Sequence, residues 1–427
     1  MKTLSWFPLF MGIRNFYSFR KGKKRTMAGA AIAVALSVVP MIVVIEVSDG
    51  MIEGITRRFI ELETGHVQLA PLDDLDVEAY LRLSEEIETL PEVLNASPVY
   101  RGTGLIYSEY SRTGIQLKAM PPDIFEKDQG FRRFLEISGG SFDLRNPSDI
   151  MLSTEIASQL DVEAGEQIKL LTAKTTSTGK IILRPEAFTV TGIFSTGYYE
   201  VDAMSGYISL DKGEKLFRGE GYLSIQCKIK DPYNGVDDAV RSIQENIDTE
   251  MTAAGWYNMQ RSMYESLYTT RVLLVFIMGI IIVVAAVNIA SSMIIMVIER
   301  RADIAIMKSC GTSGRQIRQA FIYTGMITGL SGAAVGTIAG LLISVNINSI
   351  IQFFQTVSDG IGNLSGHQDS FSIISASAYY LEEIPVDIDP GKILTVAAAA
   401  VLLSVFAAVM PARKAEKMMP LEIMRKH

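Results

Sequence analysis

An apolar run, Val272–Ile298, breaks off into Glu299-Arg300-Arg301-Ala302-Asp303-Ile304-Ala305-Ile306-Met307-Lys308, and this stretch limits the chain's possible folds more than any other. About 27 apolar and small residues suffice to cross a bilayer as a tilted helix. The charged segment behind them cannot lie in lipid and must sit at a membrane surface. Ile304, Met307 and Lys308 share one face at i, i+3, i+4 spacing, and Cys310-Gly311 reads as the stop of a short amphipathic helix. Topology alone does not explain the apolar quartet Ile304–Met307, which is expected to stand exposed between charges. A membrane helix leading into a surface helix suits a device that takes up force on one side and delivers it on the other.

The remaining runs fit one topology. Residues 1–26 carry aromatics and six cations from Arg14 to Arg25, with no Asp or Glu, as an interfacial amphipathic helix does. Residues 27–48 form the first span, its N-terminus held in the cytoplasm by the basic flank. Residues 49–270 then lie outside. Their short β-type runs (Gly65–Leu69, Gly114–Ala119, Gln167–Leu171, Ile181–Leu183, Phe188–Ile193, Tyr207–Leu210, Leu223–Ile229) alternate with helical stretches at Glu85–Leu90 and Asp237–Ile247, an α+β texture. The second span is 271–298, and the basic segment 299–320 is cytoplasmic. The third span is 321–351. Loop 352–391, without Lys or Arg, is outside. Span 392–411 returns and is expected to end at Pro411, and the basic tail 412–427 stays inside. The predicted fold is an α-helical membrane protein with four transmembrane helices and a large α+β extracytoplasmic domain between helices 1 and 2.

Several function classes fall away. A net charge of −7 argues against nucleic acid. Zinc-ligand spacing, H-E-x-x-H and G-x-S-x-G are missing, so no catalytic or metal residue is assigned. Gly311-Thr312-Ser313-Gly314-Arg315 lacks the phosphate-loop pattern, so no cofactor is expected on this chain, and any ATP and Mg belong to a partner. Cys227 and Cys310 fall on opposite sides of the membrane and cannot pair. In the third span Gly325/Gly329, Gly332/Gly336 and Gly336/Gly340 are G-x-x-x-G pairs, which let helix backbones approach closely.

The segment Glu299…Asp303-Ile304-Ala305-Ile306-Met307-Lys308…Gly311, following one large outer domain, resembles the FtsX-like or MacB-like permeases of ABC transporters. So does the end, Pro411-Ala412-Arg413-Lys414-Ala415…Pro420-Leu421-Glu422-Ile423-Met424-Arg425. Within that superfamily the chain is most similar to the lipoprotein-releasing permeases of LolC/LolE type. Trp6-Phe7-Pro8…Arg14-Asn15-Phe16-Tyr17, Ser48–Met51, Gly65-His66-Val67, Leu117–Pro122, Phe188–Asp202 and Tyr379–Val386 carry this likeness. The first span, Ala31–Pro40, departs from the family's glycine-rich pattern.

The resemblance implies two such permeases over a cytoplasmic ABC ATPase dimer in the bacterial inner membrane. They would pass a lipoprotein to a periplasmic carrier. Three acyl chains of roughly fifteen methylenes would cost on the order of 36 kcal/mol to pull into water, so they must travel along apolar surface. Val34, Val38, Ile42, Ile45 and Glu46 on span 1, with Leu274, Ile277 and Ile281 on span 2, are the candidate groove. Glu299, Asp303–Lys308 and Gly311 are the candidate ATPase-coupling residues. Two other readings remain open: mechanotransmission that drives efflux or activates a cell-wall hydrolase, and a membrane-anchored sensor without an ATPase.

Overall fold

The computed structural model describes residues 6–16, 26–71, 76–175, 181–247, 251–259, 261–365, 384–386 and 388–418. Tyr379–Glu383, the tail from 419 and parts of the amphipathic segment and outer loop therefore lie outside the described residues. The chain forms two compact units: Met1–Met51 with Leu267–Val357 and Ile384–His427, and Ile52–Ser266 with Ser358–Glu383.

Helices α1 (Trp6–Phe16) and α2 (Thr26–Phe59) open the chain. α2 runs well past the expected end at residue 48 and finishes in a π-helical turn, Ile60–Thr64. Then come β1 (Val67–Pro71), α3 (Val77–Glu88), β2 (Val93–Tyr107), β3 (Arg112–Met120), α4 (Ile124–Lys127), α5 (Gln129–Phe134), β4 (Glu136–Gly140), β5 (Asp149–Ser153), α6 (Thr154–Leu160), β6 (Gln167–Thr175), β7 (Ile181–Ser195), α7 (Tyr199–Asp202), β8 (Ser205–Ser209), α8 (Leu210–Phe217), β9 (Tyr222–Ile229), α9 (Val236–Asn246), β10 (Met251–Gly255) and α10 (Trp256–Met259).

The strands form one mixed sheet in the order β10-β1-β9-β2-β3-β8-β5-β7-β4, with β6 pairing β2 and β7. Only β3/β8 and β5/β7 are parallel among these pairs. The expected strands Ile181–Leu183 and Phe188–Ile193 are one strand, β7, which runs straight through Pro185. β2 escaped the sequence reading because Pro98, Gly102 and Gly104 interrupt it. Gly102 is required: a Cβ there would lie 2.2 Å from the Phe217 ring.

The other unit is helical. Four helices among the described residues are long and apolar enough to cross a membrane. After α2 these are α11 (Arg261–Glu299), α13 (Gly314–Val345) and α15 (Pro390–Lys417), with the short α12 (Arg301–Ser309) between α11 and α13. α13 starts earlier than the expected residue 321, at a capping box where Gln316 N–H donates to Ser313 Oγ and Ser313 N–H to Gln316 Oε1. It ends at Asn346, and α14 (Ile347–Ser365) occupies the start of the expected outer loop. Asn348 donates to Ile384 O and accepts from Ile384 N–H, both at 3.1 Å, so it ties the return segment to α14.

Pro411 does not end the last helix, contrary to expectation. α15 continues to Lys417 although an internal proline usually breaks a helix. Tertiary contacts hold the extra turns. Ala408, Ala412 and Ala415 are fully buried, Glu416 pairs with Arg318 at 3.0 Å, and Lys308 Nζ donates to Glu416 O and Met418 O at 2.6 Å.

The glycines of α13 serve two neighbours. A Cβ at Gly325 or Gly329 would lie 2.4 Å from Ala408 Cβ and 2.6 Å from Ser404 Cβ on α15. A Cβ at Gly332, Gly336 or Gly340 would meet Val34, Val38 and Ile42 on α2, at 2.6, 2.8 and 3.1 Å. Side chains four apart on α2 thus seat on glycines four apart on α13. Gly336→Leu is expected to cost about 1–3 kcal/mol or more of bundle stability, Gly340→Ala less than Gly336→Ala, and Ile338→Leu on the exposed side almost nothing. Thermal unfolding of the purified protein in detergent checks that order.

Candidate functional site

The segment after α11 is built as the sequence suggests. α12 stops at Cys310, and Gly311 takes φ +92°, a left-handed value that favours glycine. The expected exposure of the whole apolar quartet is corrected. Ile304 and Ala305 are 1% and 2% exposed, packed into the helical core, and Met307 is half-buried against it. Ile306 alone stands out, at 61% exposure. Around it Glu299, Arg301, Ala302, Asp303 and Gly311 are exposed, while Lys308 is turned inward onto the end of α15. The segment therefore has an inner face that locks it to α13 and α15, and an outer face with one large apolar residue among charges.

α1 lies beside the same corner. Thr324 Oγ1 reaches Gly12 O at 3.5 Å, and a Cβ at Gly12 would lie 2.8 Å from Tyr323 Cβ. Glycine on α1 thus lets the amphipathic helix close on α13.

The structure separates the candidate groove residues. Val34, Val38 and Ile42 are taken up by the α13 glycines and present no surface to a substrate. Ile45 is half-buried, and Glu46 is buried at 1% exposure. On α11, Leu274 and Ile281 are half-buried and Ile277 is exposed. Val34, Val38 and Ile42 on α2 and Gly332, Gly336 and Gly340 on α13, singled out separately in the sequence, are one contact.

At the other end of the helices is a cluster that sequence reading missed. Asp49 on α2 meets Arg271 Nε of α11 at 2.8 Å and Lys392 Nζ of α15 at 2.7 Å. Lys392 also lies 3.6 Å from Asp389, which caps α15 by accepting from Gly391 N–H at 2.8 Å. One carboxylate thus joins three long helices. The signal was present: Asp49, Arg271 and Lys392 each flank an apolar run, where a charge is usually read only as a boundary. Beside the cluster, Gly50 admits Pro385, since a Cβ would sit 1.7 Å from Pro385 O.

A bundle of apolar helices locked by glycine, with a mixed-sheet domain and a short charged helix on the same chain, belongs to the class of multi-pass membrane permease subunits. Residues 26–244, more than half of the chain, match the MacB-like periplasmic core domain, and the chain belongs to that family. Residues 275–420 match the FtsX-like permease C-terminal family. The lipoprotein-releasing system transmembrane protein LolC of Neisseria meningitidis serogroup B is 27% identical over 404 residues, 94% of each chain. The corresponding LolE of Haemophilus influenzae is 23% identical over 432 residues, 98% of this chain and 99% of that one. The periplasmic region of MacB from Actinobacillus actinomycetemcomitans aligns with 48% of this chain and 95% of its own, at 11% identity and a TM-score of 0.33.

Arg271 and Lys392 remain partly open to solvent, so each pair is expected near the upper end of the roughly 0–1 kcal/mol of surface pairs. Double-mutant cycles of Asp49→Asn with Lys392→Met and with Arg271→Met are expected to give coupling energies of about 1 kcal/mol each, read from unfolding in detergent. Additive losses would show that the three helices are held elsewhere.

Proposed function

We propose that this chain is a permease subunit of an ABC transporter that extracts lipoproteins from the inner membrane and passes them to a periplasmic carrier. The observation that carries the reading is the end-to-end match to LolC and LolE, which spans the helices, the sheet domain and the α12 segment alike. In this reading the chain crosses the membrane four times with both ends in the cytoplasm, and the sheet domain between the first two spans is periplasmic. The basic flanks at Arg25, Arg300, Arg301, Arg413 and Lys414 support that orientation.

A partner ATPase dimer binds ATP and Mg and supplies the driving force. This chain's part is mechanical. α12 takes the push on its outer face, around Ile306, Asp303 and Glu299. Its inner face, Ile304, Ala305 and Lys308, passes the push to α13 and α15. α11 exposes large apolar side chains on most of its circumference, among them Leu273, Phe276, Ile277, Ile280 and Val284. That surface, with Leu274 and Ile281 at its edge, faces a second permease and the acyl chains between them.

The test is depletion of the protein followed by membrane fractionation. Outer-membrane lipoproteins retained in the inner membrane, with an ATPase co-purifying, are the expected outcome. Normal sorting with altered drug sensitivity or cell-wall cleavage would replace release by mechanotransmission. Ile306→Asp is expected to leave yield and unfolding temperature unchanged while reducing co-purified ATPase at least about tenfold, the loss of one buried interface anchor. Met307→Asp should weaken folding as well, because Met307 packs on the helical core.

A further inference from the structure

The outer ends of the long helices fix a level, and α14 starts at it. Charges do not lie in hydrocarbon, so the Asp49, Arg271 and Lys392 cluster stands at a membrane surface. Gly50 follows Asp49 on α2, and a Cβ there would lie 1.7 Å from Pro385 O. Asn348, in the first turn of α14, holds the neighbouring Ile384 by two hydrogen bonds of 3.1 Å. Helix length gives the same level independently. Residues 321–345 of α13 carry no charge. At about 1.5 Å per residue they rise roughly 37 Å, past the roughly 30 Å of hydrocarbon and short of the roughly 40–45 Å that includes both headgroup layers. Asn346, where α13 gives way to α14, therefore falls among the outer headgroups.

What α14 shows at that level is apolar. Ile347, Ile350, Phe354 and Val357 share one side at i, i+3, i+7 and i+10, and Gln352 and Thr356 lie opposite. Phe353 and Phe354 are 64% and 57% exposed, and their rings meet edge to face at 5.9 Å between centroids. Val357 is exposed as well. Asp359 is the only charged residue from Ile347 to Ser365.

We propose that residues 347–357 of α14 lie along the outer surface of the membrane, with Phe353, Phe354 and Val357 set into the outer leaflet. Level and chemistry together select a lipid surface as the occupant. A second protein would need more area. The exposed parts of the two rings come to on the order of 250 Å², whereas a stable protein interface takes roughly 800 Å² from each partner. With no Lys or Arg on the helix, the attraction to lipid is apolar and not electrostatic. A helix seated this way, and tied to Ile384 ahead of α15, holds the outer ends of α13 and α15 at one depth while α12 takes the push at the other end. This placement rests on the four-span reading above and not on the identity of the transported cargo.

The experiment is spin-label accessibility on the full-length protein in phosphatidylcholine liposomes. Cys310 is exposed and Cys227 buried, so Cys310→Ser leaves no accessible native thiol. Phe354→Cys, Val357→Cys, Gln352→Cys and Thr356→Cys are then labelled one at a time. All four positions are exposed, so a label displaces no packed side chain. Labels at 354 and 357 are expected to favour collision with oxygen and to report a depth of about 5–10 Å below the phosphates, as an interfacial helix does. Labels at 352 and 356 should favour a water-soluble nickel chelate instead. Adding phosphatidylglycerol, or raising the salt to about 1 M, where the Debye length is about 3 Å, should leave the depths unchanged. Nickel access at all four sites would overturn the proposal by placing α14 clear of the membrane. Oxygen access at all four would overturn it by burying the helix whole. Access of neither reagent at 354 and 357 would do so by showing protein over that face, and a depth that requires phosphatidylglycerol would replace apolar seating by charge. None of these outcomes depends on lipoprotein sorting, so failure here and failure of the release reading are told apart.

Discussion

The end of α2 sets the terms for the sheet domain. A helix leaves its last carbonyls without intrahelical partners, and burying them unsatisfied is costly. Here the carbonyls of the π-helical turn enter the sheet and find donors there. Lys228 Nζ donates to Ile60 O at 3.0 Å and Glu61 O at 2.6 Å. Lys118 Nζ donates to Leu62 O and, at 3.0 Å, to Glu63 O, which also accepts from Arg101 and from Gln226 Nε2. The donors come from β2, β3 and β9, adjacent strands at the sheet's centre. Burial draws the fully buried Lys118 ammonium down to about 7, with Glu63 opposing and Arg101 and Lys228 adding to the shift. Such a lysine is tolerated because it meets carbonyls at the negative end of a helix dipole. His66 completes the ring. Its Nδ1 accepts from Ile229 N–H at 2.9 Å, which leaves Nε2 to donate to Glu61 at 3.0 Å.

A second tie fixes the last turn of α2 from the side. Arg58 Nε donates to Thr196 O at 3.0 Å, in the loop after β7. That loop is shaped by the buried Asp202 carboxylate, which accepts from Thr196 N–H at 3.0 Å and from Ser195 Oγ at 3.1 Å. Gly197 at φ +65° makes the turn. The stretch Phe188–Asp202, one of those that carry the likeness to the lipoprotein-releasing permeases, thus holds α2 near its end through Arg58.

Local patterns were the legible part of this chain. Apolar runs, their charged ends and the Cys310-Gly311 stop survive in the structure, because each depends on the solvent or on residues a few positions away, and the glycine periodicity marks a close packing face without naming its partners. The capping box Ser313-Gly314-Arg315-Gln316 was equally local and would have placed the start of α13 correctly. What the sequence hid depends on partners far along the chain. The continuation of α15 through Pro411 needs Lys308 and Arg318. The buried role of Lys118 and Lys228 needs the helix end delivered between strands. Lysine in a β run ordinarily reads as a solvated edge, and nothing near residues 118 or 228 says otherwise. The α2 aliphatics were misjudged as free surface for the same reason. Valine and isoleucine four apart face either lipid or a partner, and only the matching glycines on α13 decide which.

That decision shapes where acyl chains can travel on the proposed reading. With Val34, Val38 and Ile42 seated on glycine, the inner face of α2 is closed. Opening it would give up the close packing of three aliphatic side chains on glycine backbone, a fit that lipid tails do not reproduce. α11 has no such lock. One face of it packs inward through Met278, Ile282, Ile289 and Met293, but Leu273, Phe276, Ile280 and Val284 on its other faces are exposed, where lipid or another protein can cover them. At the start of its apolar stretch, however, Arg271 is held by Asp49, which also binds Lys392. On that reading a path for acyl chains along α11 runs beside a surface that is already apolar and ends at this charge cluster. Movement of α11 at its clamp leaves Val34, Val38 and Ile42 seated on Gly332, Gly336 and Gly340.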